Sequence, residues 1–104
     1  MHGWGADGAD LSALAPQLTP HLEQCAFFFP DAPFPCSANP FGREWFALNS
    51  PDIQSEEIVK NCSASRWILH QMIQGCVTDL GYTAEEIWVG GFSQGGMMAC
   101  DGGL

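Results

Sequence analysis

Apolar positions recur at helical spacing over two stretches of the chain and run without polar interruption over two others. Ile58, Cys62, Ser65, Leu69, Met72, Ile73, Cys76 and Leu80 recur every three or four positions, which predicts one long amphipathic helix from about residue 54 to 80. Gly81 follows as its stop signal. A shorter helix is predicted through Leu11, Leu14, Ala15 and Leu18, capped by Asp10 and ended by Pro20. The uninterrupted runs are Ala26-Phe27-Phe28-Phe29, closed by Pro30, and Ile87-Trp88-Val89-Gly90-Gly91-Phe92. Lacking alternation, they predict strands buried on both faces, as in a parallel sheet.

The remaining segments connect these elements. Residues 1–10 are glycine-rich and predict a loop. Residues 31–50, with several prolines, Gly42 and Asn49, predict a long irregular excursion with a short extended piece at Trp45-Phe46. Structureless stretches of that length are uncommon in compact domains and are often functional. Thr83 and Glu86 have capping-box spacing, so a short helical turn is expected there, and a further helix starts after Ser93. Helices alternating with strands imply an α/β fold built on a parallel sheet with flanking helices. Two good strands are too few for such a sheet. The expectation is therefore a single partial domain over residues 1–104, lacking its first strands and its C-terminal half.

Charge narrows the partners. Twelve acidic residues against three basic ones give a net charge of −9. That balance repels phosphate backbones and anionic membrane surfaces, so nucleic acid and lipid headgroups are discounted. No apolar run approaches the roughly 20 residues of a membrane span, and no secretory signal is visible at the N-terminus. The cysteines Cys25, Cys36, Cys62, Cys76 and Cys100 are odd in number and scattered. They predict free thiols in a reducing compartment rather than a zinc site or a disulfide framework. Asp7 and Asp10 lack the rest of a calcium-loop pattern, and Glu56, Glu57, Glu85 and Glu86 suit the first turns of helices, where they favour the dipole.

The chemistry lies in Gly91-Phe92-Ser93-Gln94-Gly95, which matches G-x-S-x-G. The bare pattern arises by chance in about one chain in thirty of this length, so its flanks must decide. Here an apolar run precedes it and a helix-like stretch follows, as a nucleophile elbow requires. In such an elbow the serine occupies a strained strand-to-helix turn, and the glycines at 91 and 95 let strand and helix approach. The hydroxyl then stands at a helix N-terminus, where the dipole and free N–H groups favour developing negative charge. The competing reading is a glycine-rich turn with an inert serine. On its own His2-Gly3-Trp4-Gly5 reads as a flexible terminal loop, but it also fits the glycine-rich loop that supplies one oxyanion N–H in α/β-hydrolases, the other coming from the residue after the nucleophile. The candidate donors are thus the backbone N–H groups of Trp4 and Gln94, and His2 reads as a structural residue at a strand end.

Taken together, residues 2–11, Pro30-Asp31-Ala32-Pro33, Trp45-Phe46 and residues 90–96 resemble the phospholipase/carboxylesterase family that includes the acyl-protein thioesterases. Residues 40–46 and 91–98 are most similar to its bacterial members. The resemblance runs in order over essentially the whole chain and is far more specific than G-x-S-x-G alone. It implies an α/β-hydrolase fold and a cytoplasmic serine esterase acting on small acyl esters or thioesters without a cofactor or metal. Ser93 matches the nucleophile, and Trp4 and Gln94 match the oxyanion positions. The family often has leucine or another aromatic where Trp4 stands, a change that leaves a backbone donor intact.

One departure matters. In this fold the triad runs serine, then Asp or Glu, then histidine, yet no histidine follows Ser93 and the only later acid is Asp101. Asp101 falls about two turns along the elbow helix, pointing away from a triad acid's place. His21 and His70 precede the serine and read as helix-surface residues. The isolated chain is therefore expected to be inactive, the alternatives being a non-catalytic remnant or one half of a split hydrolase completed by a complementing segment. The aromatic cluster Phe27, Phe28, Phe29, Phe34, Phe41, Trp45 and Phe46 is expected to be chiefly core, with a share walling an acyl pocket.

Overall fold

The computed structural model describes residues 1–48 and 55–103. Helix α1 spans Gly8–Ser12, α2 Ala15–Leu18, α3 Ser55–Thr78 and α4 Gln94–Gly103, with a 3-10 turn at Ala84–Glu86. Strands β1, Phe34–Pro35, and β2, Arg43–Glu44, pair antiparallel, Phe34 opposite Glu44. The predicted helix start at Gln54 and the end of the loop at residues 49–50 lie outside the described residues.

The first helical stretch departs from expectation in two ways. Asp7, not Asp10, is the N-cap: Asp7 Oδ1 accepts from the Asp10 N–H at 2.8 Å, and Asp10 Oδ2 accepts from the Asp7 N–H at 3.1 Å. Two aspartates three apart satisfy each other reciprocally, so the helix starts one turn earlier than a cap at Asp10 allows. The stretch also breaks between Ser12 and Ala15. Pro16 brings no N–H and its ring excludes the carbonyl four residues back, so α1 stops and α2 restarts with Pro16 in its first turn. The Thr83–Glu86 capping box forms as expected.

Helix α3 follows its periodicity as far as Thr78; Leu80, expected on the same apolar face, lies beyond its end and is exposed. Ser65 and Leu69 are buried, and Ile58, Cys62 and Ile73 pack beside them against a core of Met1, Ala32, Trp45, Phe46 and Met98. Helix α4 lies across α3, where Gly102 lets the Leu69 side chain approach so closely that an added Cβ would sit 2.6 Å from Leu69 Cδ2. At the rim, Arg66 grips Asp101 with Nε and one terminal nitrogen, at 2.8 and 2.9 Å. This exposed pair orients the crossing more than it stabilises it. The hydrogen-bonded carboxylate holds the guanidinium even above its ordinary high range.

Neither apolar run forms the strand expected of it: among the described residues, 26–29 and 87–92 are non-helical but carry no strand, and the one sheet is the antiparallel β1–β2 pair. Residues 90–92 make one parallel rung: the Met1 nitrogen donates to the Gly90 carbonyl at 2.7 Å, and the Phe92 N–H donates to the Met1 carbonyl at 3.0 Å. Their expected burial does not hold here. Trp88 is 93% exposed and Phe92 71%, while Phe28 in the other run is 54% exposed. Burial of a strand comes from the elements laid over its faces, and the described residues supply too few. Likewise the aromatic cluster is not chiefly core: Trp45 and Phe46 are buried, but Phe41 is 91% exposed. The short extended piece falls at Arg43–Glu44, two residues before Trp45-Phe46.

Candidate active site

Ser93 sits between Phe92 and the first residue of α4, with φ of +53°, the only described non-glycine residue in the left-handed region. A side chain there costs on the order of 1 kcal/mol or more, so the turn persists only because its surroundings hold it. The surroundings are glycines in contact. A Cβ on Gly91 would lie 2.2 Å from the Gly95 backbone, and a Cβ on Gly95 would lie 2.3 Å from the carbonyl oxygens of both Met1 and His2. The incoming segment, the helix and the N-terminal residues thus touch backbone to backbone, and the serine is pushed outward. Ser93 is exposed.

The N-terminal loop packs directly on this turn. A Cβ on Gly3 would contact the Phe92 ring and carbonyl at 3.3 and 3.4 Å and the Ser93 Cβ at 3.5 Å. Trp4 follows at once, and its indole N–H donates to Glu44 Oε2 at 2.8 Å, tying the loop to β2. Among the described residues, the backbone N–H groups of Trp4 and Gln94 donate to no other group. The structure therefore brings Ser93, the residue 3–4 loop and the N-terminus of α4 together, and the amides of Trp4 and Gln94 on these two segments are free. Such an arrangement can stabilise an oxyanion formed on attack by the serine.

The histidines lie elsewhere. His2 is 1% exposed; its Nε2 accepts from the Ala32 N–H at 2.9 Å, which leaves Nδ1–H to donate to the Gly3 carbonyl at 2.8 Å. Both ring nitrogens are used in holding backbone, as expected of a structural residue. His70 bonds the Gly102 carbonyl at 2.8 Å, and His21 is exposed beyond the end of α2. None of the three hydrogen-bonds Ser93, and Asp101 is occupied by Arg66. All five cysteines are free thiols. Burial, with Asp101 nearby, pushes the Cys62 thiol up despite the opposing Arg66, so it is a poor nucleophile.

Four side chains hold the site together in ways the sequence reading did not assign. Gln94 is fully buried, its carboxamide bonded to the backbone of Trp45 and Phe46 at 2.8 and 2.6 Å. Trp45 is 1% exposed and sends its indole N–H to the His2 carbonyl at 2.9 Å. Ser65 donates to the Trp45 carbonyl at 2.6 Å, and Glu44 is buried under Trp4. The one local signal was a glutamine wedged among glycines, where a long polar side chain needs partners.

The Phospholipase/Carboxylesterase family pattern matches residues 1–104. Acyl-protein thioesterase 1 of Eremothecium gossypii is 34% identical over 106 residues, covering 91% of this chain and 42% of that protein. A solved structure described as the crystal structure of esterase PE8 is similar to this chain with a TM-score of 0.86 and 33% identity. That likeness covers 99% of this chain and 48% of the esterase. The chain spans less than half the length of either relative. Among the described residues, no helix is long and apolar enough to cross a membrane.

Proposed function

The chain belongs to the phospholipase/carboxylesterase family and holds part of an α/β-hydrolase fold, and we propose that it carries the nucleophile and oxyanion half of a serine hydrolase acting on small acyl esters or thioesters. The observation that carries this reading is the exposed Ser93 at φ +53°, backed by Gly3 and flanked by the free amides of Trp4 and Gln94. Ser93 Oγ attacks the acyl carbonyl and its proton passes to a base. The oxyanion sits between the two amides, the alcohol or thiol leaves with a proton, and water releases the acyl group. Each donor is worth roughly 3–4 kcal/mol to the transition state.

No histidine of this chain reaches Ser93, so the base and its orienting acid are assigned to a complementing hydrolase segment. The exposed Trp88 and Phe92 support that assignment, since they lie on the segment such a partner would cover. Residues 1–104 on their own are expected to be catalytically silent. The reading needs no cofactor, and five free thiols support a cytoplasmic setting. The test is complementation: this chain is fused to, or mixed with, the remaining strands and C-terminal half of a family esterase. Hydrolysis of a short activated ester and a thioester is then followed with and without Ser93→Ala. Turnover lost in Ser93→Ala supports the reading. A folded hybrid with its histidine in place but no serine-dependent turnover refutes it.

A further inference from the structure

Behind the elbow, away from the exposed face of Ser93, Trp45 is held from three sides. The Trp45 backbone N–H donates to Gln94 Oε1 at 2.8 Å, and Gln94 Nε2 donates to the next carbonyl, Phe46, at 2.6 Å. The Trp45 carbonyl accepts from Ser65 Oγ at 2.6 Å, anchoring the residue to α3. Its indole N–H donates to the His2 carbonyl at 2.9 Å, and the His2 ring lies against it with centroids 5.3 Å apart. His2 in turn bonds Gly3, next to Trp4. A short, fully buried path of hydrogen bonds therefore joins the residue bearing one candidate oxyanion amide, Gln94, to the loop bearing the other, Trp4, and it passes through Trp45.

We propose that Trp45, gripped by the Gln94 carboxamide, is a positioning residue that sets the spacing of the two oxyanion amides. The proposal rests on the serine-hydrolase reading of Ser93. Any residue at 94 would supply a backbone N–H, so donating to the oxyanion does not explain a buried carboxamide with both ends bonded. Holding the helix N-terminus against residues 45–46, and through them residue 2, does explain it. An oxyanion hole works by preorganisation, and donors displaced by a fraction of an ångström lose much of their value.

The experiment uses the complemented enzyme. Trp45→Phe keeps the ring bulk and removes the indole N–H; Gln94→Met keeps the length and removes both side-chain bonds. Leu69→Ala, in the core under Gly102, is the comparator for lost stability. Active sites are counted by burst titration so that kcat refers to competent enzyme. The expected result is a fall in kcat of about 10-fold to 10²-fold for each variant, with KM changed less than about twofold. The fall should be much smaller on a thionoester, whose sulfur accepts hydrogen bonds weakly. The double variant should lose less than the product of the single losses, because one bridge is cut twice. The proposal is overturned if kcat per site follows thermal stability as it does in Leu69→Ala, or if ester and thionoester lose equally. If the unsubstituted hybrid shows no Ser93-dependent turnover, it is the functional reading that fails. The spacing itself is then decided by the amide resonances of Trp4 and Gln94: both should move in Trp45→Phe, and unmoved resonances overturn the proposal.

Discussion

Replacing Gly95 by alanine tests whether the close backbone contacts at the elbow build the site. The added methyl would sit 2.3 Å from the carbonyl oxygens of Met1 and His2 and 2.6 Å from the Met1 carbonyl carbon. That is about 1 Å short of an ordinary contact, and both obstacles are backbone that cannot rotate aside. Helix α4 must move away from residues 1–2, the residues that lead into the Gly3-Trp4 loop. Overpacking of this kind costs about 1–3 kcal/mol of stability. The displacement separates Gln94 from Trp4, and a misplacement near 1 Å costs on the order of 10²-fold in rate. The assay is thermal unfolding and ester hydrolysis of the complemented enzyme, each against the unsubstituted hybrid. A Gly95→Ala variant with unchanged Tm and kcat would mean that α4 does not rest on residues 1–2, and the argument for the site's geometry would fail.

Other outcomes follow from the same contacts. Gly75→Ala, within α3 and with only Asp79 Oδ2 near its added methyl at 3.8 Å, should stabilise by about 0.5–1 kcal/mol, read as a raised Tm. The Thr83 backbone N–H, and then its hydroxyl, hold the Glu86 carboxyl below the ordinary carboxylate range. The stability this contributes is present above the unfolded glutamate pKa, about 4.3, and is lost as pH falls through the lower folded value. Carbon-detected NMR titration of Glu86 should show a midpoint below that of a model peptide, and Thr83→Ala, which removes the hydroxyl but keeps the backbone donor, should raise it only part of the way. The chain without a complementing segment should be poorly soluble, given Trp88, Phe92 and Phe41 at 93%, 71% and 91% exposure; a soluble monomer with a sharp cooperative melt would contradict this.

What the sequence revealed and what it hid divide along physical lines. Periodicity located α3 because helix burial repeats every 3.6 residues, and Ile58, Cys62, Ser65, Leu69 and Ile73 all face inward. The apolar run at residues 87–92 showed that the segment is not helical, but the strand and the burial expected of it did not follow, since both depend on neighbours rather than on the run itself. The sequence pointed to Asp10 as the cap, and only geometry showed Asp7 to be the N-cap with Asp10 its reciprocal partner. The Gln94–Trp45–His2 bridge left almost no trace. Its partners lie 43 to 49 residues apart, and the choice of partner for a buried polar group is made by tertiary packing, which no local pattern encodes.

The central claim is that Ser93 is a nucleophile and not an inert turn residue. It is tested most directly by treating the complemented chain with a fluorophosphonate and locating the adduct by peptide mass. The account predicts one covalent label on the peptide containing Ser93, abolished by Ser93→Ala and untouched by Cys100→Ala, because Cys100 is exposed on α4 and takes no part in the chemistry. A folded, histidine-bearing hybrid that leaves the probe unreacted, or carries the label on another residue, would contradict it.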